Sequence, residues 1–159
     1  MKLSILEKQV KAEKTNKKES DVEELSVEDL NVAQGFERFD RNPELYATVL
    51  RTYASDVRIL LKTIEDVETN GIMNYIVTIH GIKGASFELL ANRIAEIAKK
   101  LEYAAVTGDF KYIKINNPIF IREAHRLLDR IDILLDNIDS SDIFSAYYEQ
   151  CEVNLFQSK

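Results

Sequence analysis

Residues 80–84 read His80-Gly81-Ile82-Lys83-Gly84, and their types and spacing suit one kind of chemistry. On a helix each residue turns by roughly 100°, so Lys83 and Gly84 are the next-turn neighbours of His80 on one side. An imidazole nitrogen is a nucleophile able to take a phosphoryl group. An ammonium one turn away stabilises the dianionic oxygens of the product by charge-assisted hydrogen bonds. A glycine one turn away clears an approach for another molecule's reacting group. That clearance is costly, because each glycine inside a helix loses about 1 kcal/mol relative to alanine. Phosphoryl transfer asks for a nucleophile, alignment and charge compensation, with little covalent work from the protein. His80 as acceptor, Lys83 as charge partner and Gly84 as clearance supply half of such a site.

The other polar residues suggest less. His125 sits among Arg122, Glu123, Arg126 and Asp129 with no Lys-Gly partner, and reads as a surface histidine. Asp129, Asp132 and Asp136 alternate with arginines and read as a solvated, ion-paired helix face. Two histidines and one cysteine offer no metal-ligand set. Val77 and Phe87, with Gly81 between them, lie near the His80 side and are candidates for an apolar docking patch.

A helix that presents His80 must itself be buried on its other side. Ile72, Tyr75, Ile76, Ile79, Ile82, Ser86 and Leu89 form that inward stripe. Asn42-Pro43 marks the start of the preceding helix. Its stripe runs from Tyr46 through Leu50, Tyr53, Val57 and Leu61 to Val67, and Asn70-Gly71 stops it. A further helix starts near Asn92, with Ile94, Ala98, Leu101 and Ala105 inward and Gly108-Asp109 at its end. A short helical piece over Asp109–Ile115 is expected to lead to a second cap-plus-proline start at Asn117-Pro118. The last long stripe then runs from Phe120 to Ile138. A short helix before these, opened by Ser26 with an acid three residues on, reaches to about Phe39. Four long amphipathic helices with short turns bury their stripes only against each other. The expected fold is therefore all-α, an antiparallel up-down four-helix bundle with a short N-terminal helix. Residues 1–25 read as a charged linker, 26–139 as the bundle and 140–159 as an extension. Within that extension, Ile143–Phe156 is expected to form a C-terminal helix packing back.

Bulk properties narrow the classes. The chain has 159 residues, enough for one ordinary domain. Five glycines and two prolines are too few for a many-stranded β fold. A net charge of −6 weighs against nucleic acid as a partner. No apolar run approaches the roughly 18 residues of a membrane span. The lone Cys151 excludes an internal disulfide and fits a cytoplasmic location.

The segment His80-Gly81-Ile82-Lys83-Gly84, followed by Ala85-Ser86, resembles the His-x-x-Lys-Gly core of histidine phosphotransfer (HPt) domains. The resemblance continues in Leu101-Glu102-Tyr103-Ala104-Ala105 with Gly108-Asp109 behind it, and in the entry segment around Asn42-Pro43-Glu44-Leu45-Tyr46. It covers about Ser26 to Ile138 and is similar to HPt domains of bacterial hybrid sensor kinases. One departure is Phe87-Glu88-Leu89-Leu90-Ala91, where the family often has Asn or Gly. The resemblance implies a monomeric phosphocarrier without an ATP site, not an enzyme in its own right. It would pass a phosphoryl group on His80 between aspartates of receiver domains in a two-component phosphorelay. Its partners would be response-regulator receivers and a hybrid histidine kinase. No cofactor is expected on this chain, Mg²⁺ being expected on the receiver. The alternative is a non-catalytic module that binds a receiver or kinase with His80 idle. A kinase dimerisation region is disfavoured, since that region normally has an acid directly after its histidine and Gly81 stands there.

Overall fold

The computed structural model describes residues 29–138. Among these residues the structure is helical, without a strand. Its helices are α1 (Val32–Arg38), α2 (Pro43–Thr63), α3 (Ile72–Glu88), α4 (Asn92–Thr107) and α5 (Phe110–Ile138), with a single helical turn, Val67–Asn70, between α2 and α3. No described helix is long and apolar enough to cross a membrane. The expected segments 1–25 and 140–159 and the Ile143–Phe156 helix lie outside the described residues, while the short helix expected from Ser26 starts only at Val32, residues 29–31 not being helical.

Helix ends follow from side chains that satisfy the orphan N–H groups of a first turn. Asn31 Oδ1 accepts from Gln34 N at 3.0 Å, so the cap of α1 is Asn31. Asn42 Oδ1 accepts from Leu45 N at 3.1 Å, and Pro43 follows it at the first helical position. Asp109 Oδ1 accepts from Tyr112 N at 3.0 Å, while Gly108 closes α4 in the left-handed region at φ 75°. Between α3 and α4 the left-handed residue is Leu90, at φ 63°. Ala91 N reaches back to Ser86 O at 2.9 Å there. A branched residue carries a cost of roughly 1–2 kcal/mol in that conformation. This is the place where the sequence departs from the HPt pattern.

The four long helices share one core. α3 lies against α2 and α4, and α5 lies against the same two. Tyr46, Leu50 and Leu61 of α2, Tyr75, Ile79 and Ile82 of α3, Ile94 and Leu101 of α4, and Phe120 and Leu128 of α5 are fully buried. Each belongs to a stripe whose three- and four-residue spacing is legible in the sequence. Inside this apolar interior, Tyr53 donates to Ser86 Oγ at 2.9 Å, and Ser86 passes its own hydroxyl proton to Ile82 O at 2.7 Å. Burial pushes the Tyr53 phenol up to about 12, against the opposing pull of the Ser86 bond. The pair fixes α3 along α2. Gly35 of α1 answers to packing instead: a Cβ there would stand 2.7 Å from the Tyr46 hydroxyl.

Two further expectations about boundaries are corrected. α2 ends at Thr63 rather than running to Val67. Its last carbonyls are taken by side chains: Asn70 Nδ2 donates to Thr63 O at 3.0 Å and Asn117 Nδ2 to Ile64 O at 2.7 Å. The second correction is that Asn117-Pro118 does not start a helix. α5 runs unbroken from Phe110, with Pro118 inside it. Asn117 cannot cap, because its amide is engaged elsewhere. It donates to Ile64 O and accepts from the Tyr75 hydroxyl at 3.0 Å, and it is 3% exposed. One buried side chain thus joins α5 to α3 and to the end of α2. Asn117→Ala would orphan a buried hydroxyl and a carbonyl, each worth about 1–3 kcal/mol. The expected loss is about 2–4 kcal/mol, read as a fall in the urea midpoint by far-ultraviolet circular dichroism. An unchanged midpoint would contradict the bridging role.

Candidate functional site at the α3–α4 seam

α3 buries Ile79 and Ile82, and this turns His80 to the edge of the helix. The imidazole is 68% exposed, in line with its expected place beside the apolar stripe. α4 buries Ala98, Leu101 and Ala105, and this turns Glu102 towards α3. The two edges meet. Glu102 Oε1 lies 2.5 Å from His80 Nδ1, and Glu102 Oε2 accepts from Lys83 Nζ at 2.5 Å. A carboxylate can only accept, so Nδ1 carries the proton in this arrangement, and in the neutral ring Nε2 then carries the lone pair. Nε2 faces outward with the exposed ring.

Lys83 is 21% exposed and Glu102 18%. Partial burial alone would raise the Glu102 carboxyl. The hydrogen bonds from Lys83 and His80, together with their charge, outweigh it and hold the group below its usual range. The structure therefore brings His80 and Lys83 together through a third residue. Glu102 was not singled out for chemistry in the sequence, although it falls within the Leu101–Ala105 segment. Its signal was an acid at the boundary of an inward stripe, level with His80 once α3 and α4 are paired.

Gly81 and Gly84 are exposed on the same side of α3. A Cβ at either would meet nothing within 4 Å. Among the described residues no helix crossing explains them, and the packing there makes no demand for glycine at these positions. Val77 continues the line one turn earlier at 69% exposure, and Phe87 lies at the far end at 37%. Met73, at 68%, extends the line further and was missed. Two grooves flank this ridge. The one towards α2 has a volume of about 510 Å³ and touches Gly81, Ala85, Tyr53 and Asp56. The one towards α4 has a volume of about 820 Å³ and runs from Lys83 and Glu102 past Tyr103 and Val106. Tyr103 and Val106 are exposed apolar residues lying off the inward stripe of α4, which is the signal that marks them.

No family model, curated protein or solved structure matches the chain.

The remaining candidates stay apart. His125 lies on α5, away from the His80 cluster. On the same helix Glu123 gathers Arg93, Arg126 and Arg122 at 3.5–3.8 Å, and of the expected acidic face Asp132 pairs with Arg58 of α2. Among the described residues no cluster of His, Cys, Asp and Glu is arranged to hold a metal ion.

Two outcomes follow. The charged form of Glu102 is favoured by the fold, so its contribution to stability is present above the ordinary carboxyl value of about 4.3. It is lost as pH falls through the depressed native value. The stability advantage of the native chain over Glu102→Gln, read as the difference in urea midpoints, is therefore expected at pH 7 and should shrink below about pH 4. A gap constant across that range would count against the triad. Gly81→Ala and Gly84→Ala fill open space on a helix, and each should stabilise the isolated chain by about 0.5–1 kcal/mol in the same assay. Destabilisation would mean that the glycines serve the chain's own packing.

Proposed function

We propose that this chain is a histidine phosphotransfer domain, with α2–α5 forming an antiparallel four-helix bundle that carries a phosphoryl group on His80 Nε2. It exchanges that group with aspartates of receiver domains in a cytoplasmic phosphorelay. The observation that supports this most is the engagement of Nδ1 by Glu102, which leaves Nε2 as the outward-facing nucleophile.

The transfer balances on these atoms. The Nε2 lone pair attacks the phosphorus of an acyl phosphate on the partner. The N–P bond forms, the P–O bond to the aspartate breaks, and the carboxylate leaves with the electron pair. The ring becomes positive as the bond forms, because Nδ1 keeps its proton. Glu102 faces that proton and stabilises the charge where it develops. Lys83 holds the other carboxylate oxygen, so the acid stays ionised and its plane stays fixed. Lys83 also lies one turn from His80, close enough for its ammonium to serve the phosphoryl oxygens. The reverse reaction returns the group to a second aspartate through the same contacts. Mg²⁺ belongs to the receiver in this scheme. The open positions at Gly81 and Gly84 admit the receiver's loops, and Val77, Met73 and Phe87 offer the apolar contact that such a docking needs.

Incubation with a receiver domain carrying radiolabelled phosphate on its aspartate should move label to this chain in an acid-labile, alkali-stable form. His80→Gln should abolish that label and His125→Gln should leave it. Gly84→Phe should slow transfer at least ten-fold, with the fold intact by circular dichroism. Label that survives His80→Gln would sink the proposal. Receiver binding with no transfer at any time would instead favour the idle binding module.

A further inference from the structure

Charge at the α3–α4 seam balances before transfer and not after it. Glu102 and Lys83 cancel one another across 2.5 Å. A phosphoryl group on Nε2 brings two negative charges, while the ring keeps its Nδ1 proton and becomes positive. One net negative charge is added, and it lies on the outward oxygens. Lys83 already answers Glu102, so the added charge calls for a second cation. We propose, on the phosphotransfer reading of His80, that Lys99 of α4 is this cation and that its ammonium reaches across Gly84 to the phosphoryl oxygens.

The placement follows from pairing two helix edges. Glu102 marks the edge of α4 that faces α3. Lys99 stands one turn before Glu102 on that edge, and one turn after the buried Ala95. α3 and α4 run antiparallel, joined by the turn at Leu89–Ala91. One turn back from Glu102 on α4 is therefore one turn on from His80 on α3, which is Gly84. Lys83, Lys99 and Glu102 line one groove. Gly84 puts no side chain between Lys99 and the imidazole, and a Cβ there would meet nothing within 4 Å. Lys99 is exposed, and its ammonium has no partner among the described residues. Its flexible four-carbon stem suits a charge that must cross an open position. Lys100 is turned roughly 100° further round α4, away from this edge. On this placement Gly84 clears the way for a cation of the chain itself as well as for a partner.

Potassium phosphoramidate tests this in the full chain without a receiver. His80 Nε2 attacks its phosphorus, the new N–P bond forms, and ammonia leaves the zwitterionic reagent with the electron pair of the old bond. The initial rate is read by phosphorus nuclear magnetic resonance of the labelled chain. A unit charge about 5 Å from an anion in water is worth roughly a four-fold change. Lys99→Gln should therefore label about three- to five-fold more slowly than the native chain. Lys99→Arg should keep most of the rate, and Lys100→Gln all of it. Salt separates charge from structure. At about 1 M KCl the Debye length falls to roughly 3 Å, and the native rate should drop to that of Lys99→Gln. Equal rates at low salt, or a gap that persists at high salt, would overturn the role of Lys99 and leave His80 as the acceptor. A native chain that takes no label, or label that survives His80→Gln, would remove the acceptor and the role of Lys99 with it.

Discussion

A carboxylate has two oxygens, and Glu102 gives one to His80 and the other to Lys83. Much of the site's organisation follows from that division. The proton on Nδ1, the lone pair on Nε2 and the fixed position of the ammonium are all set by one acid at the edge of α4. The acid can do this because it is only partly withdrawn from water. Full burial would have made its charge expensive, and full exposure would have let solvent compete for both donors. The cluster therefore sits at the boundary where a hydrogen bond still fixes geometry and the imidazole still meets the outside.

That boundary is itself a product of packing. Ile79 and Ile82 on one helix and Ala98, Leu101 and Ala105 on the other decide which residues end up at the seam. The small alanines of α4 let α3 approach, and the large isoleucines set its rotation. Tyr53 and Ser86 then hold α3 along α2 by a hydroxyl pair with no charge to screen. The chemistry-bearing residues make few demands on the interior, and the interior makes few on them. Gly81 and Gly84 are the clearest case, being positions where the packing of the described residues has no use for a missing side chain.

The inward stripes were legible in the sequence because burial imposes a period, and so were the caps at Asn42 and Asp109, whereas Gly71, read as the stop of α2, stands instead before the first residue of α3. His80 and Lys83 were legible as a pair because both lie on one helix, where spacing in sequence is spacing in space. Glu102 was not, because its distance from His80 depends on how α3 and α4 are paired. Asn117-Pro118 misled for a related reason. An asparagine before a proline is a local start signal, but Tyr75 and the Ile64 carbonyl claim the amide from two other parts of the chain. Pro118 thus lies inside α5, beside a residue tied to two other parts of the chain. Leu90 carries the opposite lesson. The pattern there lacks the usual Gly or Asn, and the backbone nevertheless enters the left-handed region to close the turn between α3 and α4.

That turn also bears on how the protein comes to be folded. His80, Lys83 and Glu102 all lie on two consecutive helices joined at Leu89–Ala91. Bringing them together closes a short loop, and the entropy of closure grows only slowly even for longer ones. Contacts of such small sequence separation are those that form early in a folding chain. His80 and Glu102 are thus set against each other by a local event, whereas the α2–α5 pairing that completes the core must wait for parts of the chain far apart in sequence. Glu102 follows His80 by 22 residues, so both sides of this seam are present in a growing chain before α5 begins at Phe110.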